Sequence, residues 1–354
     1  MRLDIFGSRL RSARMIAGLS LRELSEKIDN EVTKQALSKY EKGLMQPSSS
    51  VLNSLSDALN LKVDFFLKDN FVEFKTVDFR KKKSMTKRDE DIILERARLY
   101  YENYSEIENI LGIGNSFLNP IENLQINSLD DVERAANILR DTWGLGTQPI
   151  SNLIEMLESV GIKVYTIEHS DEIDGVAIDI EGGSPLVIIN IDNKPLERIR
   201  FTIIHELAHS ILKFTKRILE NERLLEKMCH YFASCFLIPK SKLIEMIGGI
   251  KRSYIRINEL IAIKEYFGIS IRALVYRLQQ IGIITANYHK RWSIWLNKEY
   301  GSKNEPGNYI GVEKSNRFMQ LIDRALSEEL ISVSKAASLT NLSVADIKKM
   351  KPIG

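Results

Sequence analysis

The sequence predicts a multidomain, mainly α-helical chain that contains one α+β domain with a small sheet. Three observations lead to this prediction. The chain has 354 residues, which is long enough for two or three domains with their own hydrophobic cores. Apolar residues recur at helical spacing over most of its length. Between residues 163 and 190, short runs rich in Val and Ile and bounded by turn residues indicate β-strands instead.

The composition is that of an ordinary water-soluble protein. Charged residues make up 27% and the net charge is +3, so any affinity for nucleic acid must come from a local patch. The two cysteines, Cys229 and Cys235, fit neither a disulfide framework nor a cysteine zinc site, and we expect buried thiols in a reducing compartment. No signal peptide or membrane-spanning stretch is apparent, so we expect a cytoplasmic protein without a membrane partner.

Residues 1–68 are expected to form a helical domain. Four breaks predict five short helices, and they lie at Gly18, Asp29-Asn30, Gly43 and Pro47. Ser20 and Glu23 have the spacing of a capping box, which starts the second helix. A third helix follows over residues 32–43 and is closed by glycine.

The third helix is expected to turn a polar face outward, formed by Thr33, Lys34, Gln35, Ser38 and Lys39. These side chains suit the major groove of DNA, because Gln pairs with adenine, Lys with guanine or phosphate, and Ser or Thr with either. Arg11 and Arg14, on the first helix, are expected to hold the DNA backbone. The alternative is a helical bundle used only for oligomerisation.

Residues 5–67 resemble the Cro/cI-type (XRE) helix-turn-helix family, most clearly in SKYEKG at residues 38–43 and the following Pro47. The resemblance implies a double-stranded DNA operator as partner, and a homodimer that reads two half-sites. Two features depart from the family. Leu21 stands where Gln is common, and the turn after the second helix is long and lacks glycine, so Asn30 is expected to adopt the left-handed conformation.

The middle of the chain divides into two predicted parts. Residues 69–129 are expected to be a basic linker, with the run Phe79-Arg80-Lys81-Lys82-Lys83, and a connector helix near 87–111. Residues 130–245 are expected to form the α+β domain. Its predicted elements are helices near 131–142 and 150–160, strands near 163–167, 175–180 and 186–190, a helix around His205, and a helix over 221–237.

His205 and His209 lie four residues apart in a helix that is otherwise apolar. This spacing puts both imidazoles on one face, one turn apart, so that they can bind one Zn²⁺ ion per chain. Glu206 is next to the first ligand and can act as general base on the water that the metal activates. Polar side chains inside an apolar helix also need partners, which a bound metal supplies.

Two stretches, RFTIIHELAH at residues 200–209 and EKMCHYFASCFLIP at 226–239, resemble the ImmA/IrrE family of zinc metallopeptidases. The resemblance covers residues 130–245 and includes WGLG at 143–146, Pro149-Ile150 and Asp174-Gly175. It implies a zincin-like fold, a protein substrate and Glu226 as the third metal ligand, with Glu222 as a weaker alternative.

His230 stands where that family has Asn, one turn after Glu226 and on the same face. Three roles are open for it. It can stabilise the oxyanion in catalysis or support a metal ligand, it can be a structural histidine with satisfied hydrogen bonds, or it can bind the metal directly.

The remaining residues, 246–354, are expected to be helical, and residues 330–347 resemble another helix-turn-helix pair. Taken together, the sequence predicts a DNA-binding transcriptional regulator whose zinc metallopeptidase cleaves a partner protein, such as a repressor, or itself. Two alternatives remain. The zinc domain can sense or recruit without proteolysis, or the chain can be one component of a toxin–antitoxin or phage-control pair.

Overall fold

The computed structural model describes residues 3–68, 71–74, 86–114, 117–170, 173–249 and 251–349. Its described part is mainly helical with a small sheet, which confirms the predicted fold class. The basic run at residues 79–83, predicted to be a linker, lies outside the described residues. No helix among the described residues is both long enough and apolar enough to cross a membrane.

The first part of the chain is entirely helical in the described residues. Its helices are α1 (Leu3–Ile16), α2 (Leu21–Lys27), α3 (Lys34–Glu41), α4 (Ser49–Leu59), α5 (Val63–Leu67) and α6 (Lys87–Ile110). The five predicted short helices and the long connector helix are therefore present. Ser20 and Glu23 form the predicted capping box, and Asn30 is left-handed with φ 54°.

The middle part contains all the strands that the structure describes. Its strands are β1 (Gln125–Ile126), β2 (Lys163–Ile167), β3 (Gly175–Ile178), β4 (Leu186–Asn190) and β5 (Lys213–Phe214). Its helices are α7 (Leu129–Thr142), α8 (Leu153–Ser159), α9 (Leu196–Ile211), α10 (Lys216–Leu219), α11 (Glu222–Leu237), α12 (Lys240–Ile247), α13 (Ile257–Phe267), α14 (Ile271–Gln280) and α15 (Ala286–Tyr300). The last part forms α16 (Arg317–Ser327), α17 (Val333–Thr340) and α18 (Val344–Lys349).

The described residues fall into two compact units. One comprises residues 3–68, 71–74, 86–114 and 316–349, and the other comprises 117–170, 173–249 and 251–315. The chain therefore divides between residues 114 and 117 and between 315 and 316, not at the predicted boundaries of 129 and 245.

Shared hydrophobic cores explain this division. In the first unit, α6 contributes Tyr104 and Ile107 to a cluster that also holds Ile322 of α16. In the second unit, Phe236 of α11 and Leu274 of α14 belong to one core. Helices on both sides of residue 245 bury the same apolar surface, which is the dominant stabilising term in folding.

A three-stranded sheet in the order β2-β4-β3 supports the second unit. β4 pairs in parallel with β2 and antiparallel with β3, and all five of its residues are buried. β3 forms one edge of this sheet. Helices α9 and α11 pack against each other, and α9 also packs on β3 and β4, so the helix with the two predicted histidine ligands lies on the sheet.

Candidate metal centre and nucleic-acid interface

Helix α9 holds the two histidines in place by burying the residues around them. Ile204, Leu207 and Ala208 are fully buried in the core of the second unit. His205 is itself buried, at 8% exposure, and His209 is partly exposed. The helix therefore cannot rotate to move its histidines without exposing apolar side chains, which fixes where the imidazoles point.

His205, His209 and Glu226 place their potential ligand atoms close together. The two Nε2 atoms are 3.3 Å apart. The carboxylate oxygens of Glu226, on α11, lie 3.3 Å from His205 Nε2 and 3.5 Å from His209 Nε2. A tetrahedral zinc site with ordinary bond lengths spaces neighbouring ligand atoms about 3.3 to 3.6 Å apart. The three side chains fit that requirement.

A second set of three residues, His205, Glu226 and His230, also has ligand atoms within 4.8 Å of one another. We favour the set with His209 for two reasons. His230 Nδ1 lies 4.0 Å from the Glu226 carboxylate, farther than the Nε2 atom of either α9 histidine. His230 Nδ1 also lies 2.7 Å from the main-chain oxygen of Glu226, so this nitrogen carries a proton and donates it there.

His230 nevertheless lies beside the cluster. Its ring centroid is 4.2 Å from that of His205 and 5.8 Å from that of Phe201. Its side chain is about half exposed. With Nδ1 donating to the Glu226 main chain, Nε2 is the nitrogen left to meet another group. The geometry therefore brings His230 to the site without making it a third close ligand.

Glu206 lies against the edge strand of the sheet. A Cβ atom on Gly175, the first residue of β3, would be 3.2 Å from Glu206 Cγ and 2.9 Å from the main-chain oxygen of Ile188. A side chain at residue 175 would thus push on both the strand partner and the glutamate. The absence of a side chain at this position lets the strand and Glu206 lie in contact.

Cys229 touches a predicted metal ligand, which sequence reasoning missed. Its Sγ is 3.4 Å from His209 Nδ1, and the residue is fully buried. Neither Cys229 nor Cys235 is in a disulfide, as predicted. The partner of the non-ligating nitrogen sets the orientation of a ligand histidine, so Cys229 orients His209. In the sequence, this contact was indicated only by the position of Cys229, three residues after Glu226.

A buried polar network lies on another face of α11. Arg277 donates to Glu133 Oε1 at 2.7 Å, and Tyr231 and Cys235 donate to Glu133 Oε2 at 2.9 and 3.3 Å. Burial raises the pKa of the Cys235 thiol and of the Tyr231 phenol. Burial alone would raise the pKa of Glu133 too, but the charge of Arg277 and the hydrogen bonds from Arg277, Tyr231 and Cys235 together outweigh it, and the pKa is lowered. The network ties α7, α11 and α14 together.

In the first unit, α3 presents the polar face predicted for DNA. Thr33 caps the helix by accepting a hydrogen bond from the Ala36 amide at 3.3 Å. Leu37 and Tyr40 face the core. Among the predicted contact residues, Thr33, Lys34, Gln35 and Lys39 are exposed and Ser38 is partly exposed. The face is thus open to a ligand.

The two arginines of α1 differ in their contacts. Arg11 is exposed. Arg14 donates to both oxygens of Glu41, at 2.6 and 3.0 Å, and to the main-chain oxygen of Leu19 at 2.7 Å. This bidentate pair joins α1 to α3, so Arg14 braces these two helices.

These two arrangements define two classes of domain: a helical domain with an open polar recognition helix, and an α+β domain with a His-Glu metal cluster on paired helices. Comparison with known families agrees with both. A helix-turn-helix family model matches residues 10–66. The peptidase M78 model, described as the IrrE N-terminal-like domain, matches residues 157–279. The chain therefore carries a helix-turn-helix domain and an IrrE-like domain.

Three curated relatives match short stretches of the chain. An uncharacterized HTH-type transcriptional regulator of Sinorhizobium medicae (strain WSM419) is 40% identical over 63 residues, which is 18% of this chain and 44% of that protein. A regulator of the same description, R00410 of Rhizobium meliloti (strain 1021), has the same identity and coverage. The SPbeta prophage-derived uncharacterized HTH-type transcriptional regulator YonR of Bacillus subtilis (strain 168) is 33% identical over 70 residues, 20% of this chain and 63% of its own. The match thus spans less than half the length of the rhizobial relatives.

Proposed function

We propose that the protein is a cytoplasmic, homodimeric transcriptional regulator that binds a DNA operator and cleaves a partner protein, such as a repressor, with a zinc-dependent peptidase site. The observation that carries the proposal is the convergence of His205, His209 and Glu226 within 3.3–3.5 Å, with Glu206 on the same helix as the two histidines. The helix-turn-helix match and the names of the relatives support the DNA-binding part.

In this proposal His205, His209 and Glu226 hold the zinc ion. Zinc, when bound, is a Lewis acid that makes water nucleophilic at neutral pH and polarises a carbonyl group. Glu206 accepts a proton from the attacking water and then donates it to the nitrogen of the leaving amine. The peptide bond thereby breaks into a carboxylate and an amine. Cys229 keeps the His209 ring in place, and His230 contacts the reacting carbonyl or supports the ligand set.

The position of β3 at the edge of the sheet favours a polypeptide as the substrate. β3 pairs with β4 on one side, and the structure describes no strand on its other side. An extended peptide can add to such an edge through main-chain hydrogen bonds, largely independently of its sequence. Gly175 places this edge in contact with Glu206. A peptide bound along β3 would therefore lie next to the proposed general base.

The test compares wild type with Glu206→Gln, which keeps the size of the side chain and removes its basicity. We expect one zinc ion per chain in both proteins and equal binding to the DNA upstream of the chain's own gene. Cleavage should fall about 10²- to 10⁴-fold in the variant, the usual contribution of a general base. Zinc is measured by atomic emission, binding by anisotropy and cleavage by mass spectrometry.

Two results would contradict parts of the proposal. Equal cleavage by both proteins would exclude Glu206 as the base. Zinc and operator binding without cleavage of any partner protein would instead favour a regulator whose metal domain senses or recruits.

A further inference from the structure

A cavity of about 980 Å³ opens beside the metal cluster, within the second unit. His230 and Phe201 line it, and both belong to the surroundings of His205. Its size is at the upper end of the range for binding pockets of proteins, ~300–1,000 Å³. Because His230 belongs to both, a chain bound at the metal cluster can continue into the cavity.

The cavity has a basic lining. Six lysines and arginines line it against two glutamates, and the six are Lys194, Arg198, Lys227, Lys264, Arg272 and Lys303. A concave surface lined by one sign of charge concentrates ligands of the opposite sign. The whole chain, by contrast, carries a net charge of only +3.

The two glutamates are already engaged by protein groups. Glu197 pairs with Lys264 at 3.2 Å, and both side chains are nearly buried. Glu305 accepts hydrogen bonds from the main-chain amides of Ile271 and Arg272 at 2.6 and 3.0 Å. It also accepts one from the Arg272 guanidinium at 3.0 Å. Neither glutamate therefore offers its charge to a ligand.

The cations differ in their exposure. Lys194 is only partly exposed, and Arg198 pairs with Asp174 at 2.9 Å. Lys227, on α11, and Lys303, after α15, are both exposed and line the cavity. An anion that enters from solvent therefore meets these two lysines.

One wall of the cavity is formed outside the IrrE-like region. The family match ends at residue 279, whereas residues 302–308 contribute to the lining. This segment is held firmly, since Gly307 packs against Ile261 with φ 75° and the Asn308 amide donates to Glu265 at 3.1 Å. The cavity is thus preformed, and the C-terminal part of the chain completes it.

We propose that this cavity is a specificity site for an acidic segment of the substrate polypeptide. The segment would lie next to the bond that is cleaved, with its Asp or Glu side chains facing Lys227 and Lys303. The inference rests on the proposed peptidase function, because it assigns the cavity to the same polypeptide that occupies the metal cluster.

The test uses the full-length protein loaded with zinc and two pools of short synthetic peptides. The pools share the same apolar residues, and one contains Asp and Glu where the other contains Asn and Gln. Glu206→Gln serves to measure binding without turnover, and wild type serves to map cleaved bonds by mass spectrometry. Lys303→Glu is the test variant, and Lys290→Glu, an exposed lysine on α15 that does not line the cavity, is the matched control.

We expect the acidic pool to bind about tenfold more tightly than the amide pool, as a few partly exposed ion pairs together provide. This preference should largely disappear in Lys303→Glu and persist in Lys290→Glu. In wild type, cleaved peptides should carry acidic residues at a fixed distance from the broken bond. The preference should weaken at high salt, because exposed charges are screened.

Equal binding of both pools, or an equal loss of preference in Lys303→Glu and Lys290→Glu, would overturn the inference. Cleavage by wild type without any acidic preference would overturn it while leaving the proposed peptidase intact. Acidic preference that depends on Lys303 but is never followed by cleavage would support the anionic-peptide site and count against the peptidase.

Discussion

The metal cluster and the recognition helix are built in opposite ways. His205, His209 and Glu226 come from two packed helices and meet within 3.3–3.5 Å. Lys34, Gln35 and Lys39 come from a single short helix and project into solvent. The cluster therefore restricts its possible ligands by geometry, whereas the recognition helix shows only that a ligand has access.

Burial explains this contrast. A polar group buried in a core must have partners, so its neighbours reveal its chemistry. A polar group on a surface makes its hydrogen bonds with water, so its neighbours in the protein do not reveal its ligand. The same difference predicts how each region responds to mutation, and four experiments test it.

The largest effect is expected where charge is most buried. Arg277→Met removes the cation that pairs with Glu133. The carboxylate then lacks its compensating charge, which should lower the free energy of unfolding by about 3–5 kcal/mol. Arg22→Met breaks a pair with Glu26 in the first unit whose side chains are mostly exposed, and it should barely change stability. Chemical denaturation of each variant measures the difference. Equal effects would show that burial does not distinguish the two regions.

The second effect concerns the assignment of the third metal ligand. Glu226→Gln should weaken zinc binding more than about 100-fold, beyond the loss expected for a residue that only supports a ligand. Glu222→Gln, on the same helix one turn earlier and exposed, is the matched control and should bind zinc as wild type does. Competition with a chromogenic chelator measures both. A larger loss in the Glu222 variant would reverse the assignment.

The third effect concerns the recognition helix. Gln35→Ala should cost about 1–3 kcal/mol of operator binding and relax the preference at one base pair, as expected for a base contact. Arg11→Ala should instead weaken binding to all sequences. It should also reduce the slope of the logarithm of the binding constant against the logarithm of the salt concentration by about one. Anisotropy titrations at several salt concentrations separate the two. A change of sequence preference in the Arg11 variant would contradict its role at the backbone.

The smallest effect concerns two helix caps, one in each unit. A hydrogen bond from the Ser20 amide lowers the pKa of Glu23 below 4.5, and one from the Asn127 amide lowers that of Asp131 below 3.8. Each carboxylate therefore stabilises the fold above those values and loses this contribution as the pH falls through its lowered pKa. In Glu23→Gln and Asp131→Asn, stability should fall less steeply as the pH decreases. Circular dichroism measures this dependence on pH. A steeper loss would contradict the assignment.

Local patterns in the sequence predicted much of this structure. The five short helices, the capping box at Ser20 and the three strands follow from turn residues and periodicity, and the spacing of His205 and His209 follows from helix geometry. Glu226 came from family resemblance, since no local rule links it to residues twenty positions away.

Long-range contacts could not be predicted in this way. Glu133 and Arg277 are 144 positions apart and lie in two regions that had been assigned to different domains. The contact between Cys229 and His209, and the grouping of residues 316–349 with the first unit, likewise depend on packing between distant segments. The pair between Arg14 and Glu41 was missed for the same reason, because the two residues lie on different helices.

The order of the two units along the chain has a topological consequence. The chain leaves the first unit after residue 114 and returns to it at residue 316, so the second unit is an insertion with two tethers. A single cut in either tether leaves the inserted unit attached through the other one, and the two fragments then stay together through the packing of α16 and α17 on α6. Release of the inserted unit alone requires two cuts. Nicking at one place would thus preserve the one-to-one ratio of the two units, and only excision would separate them.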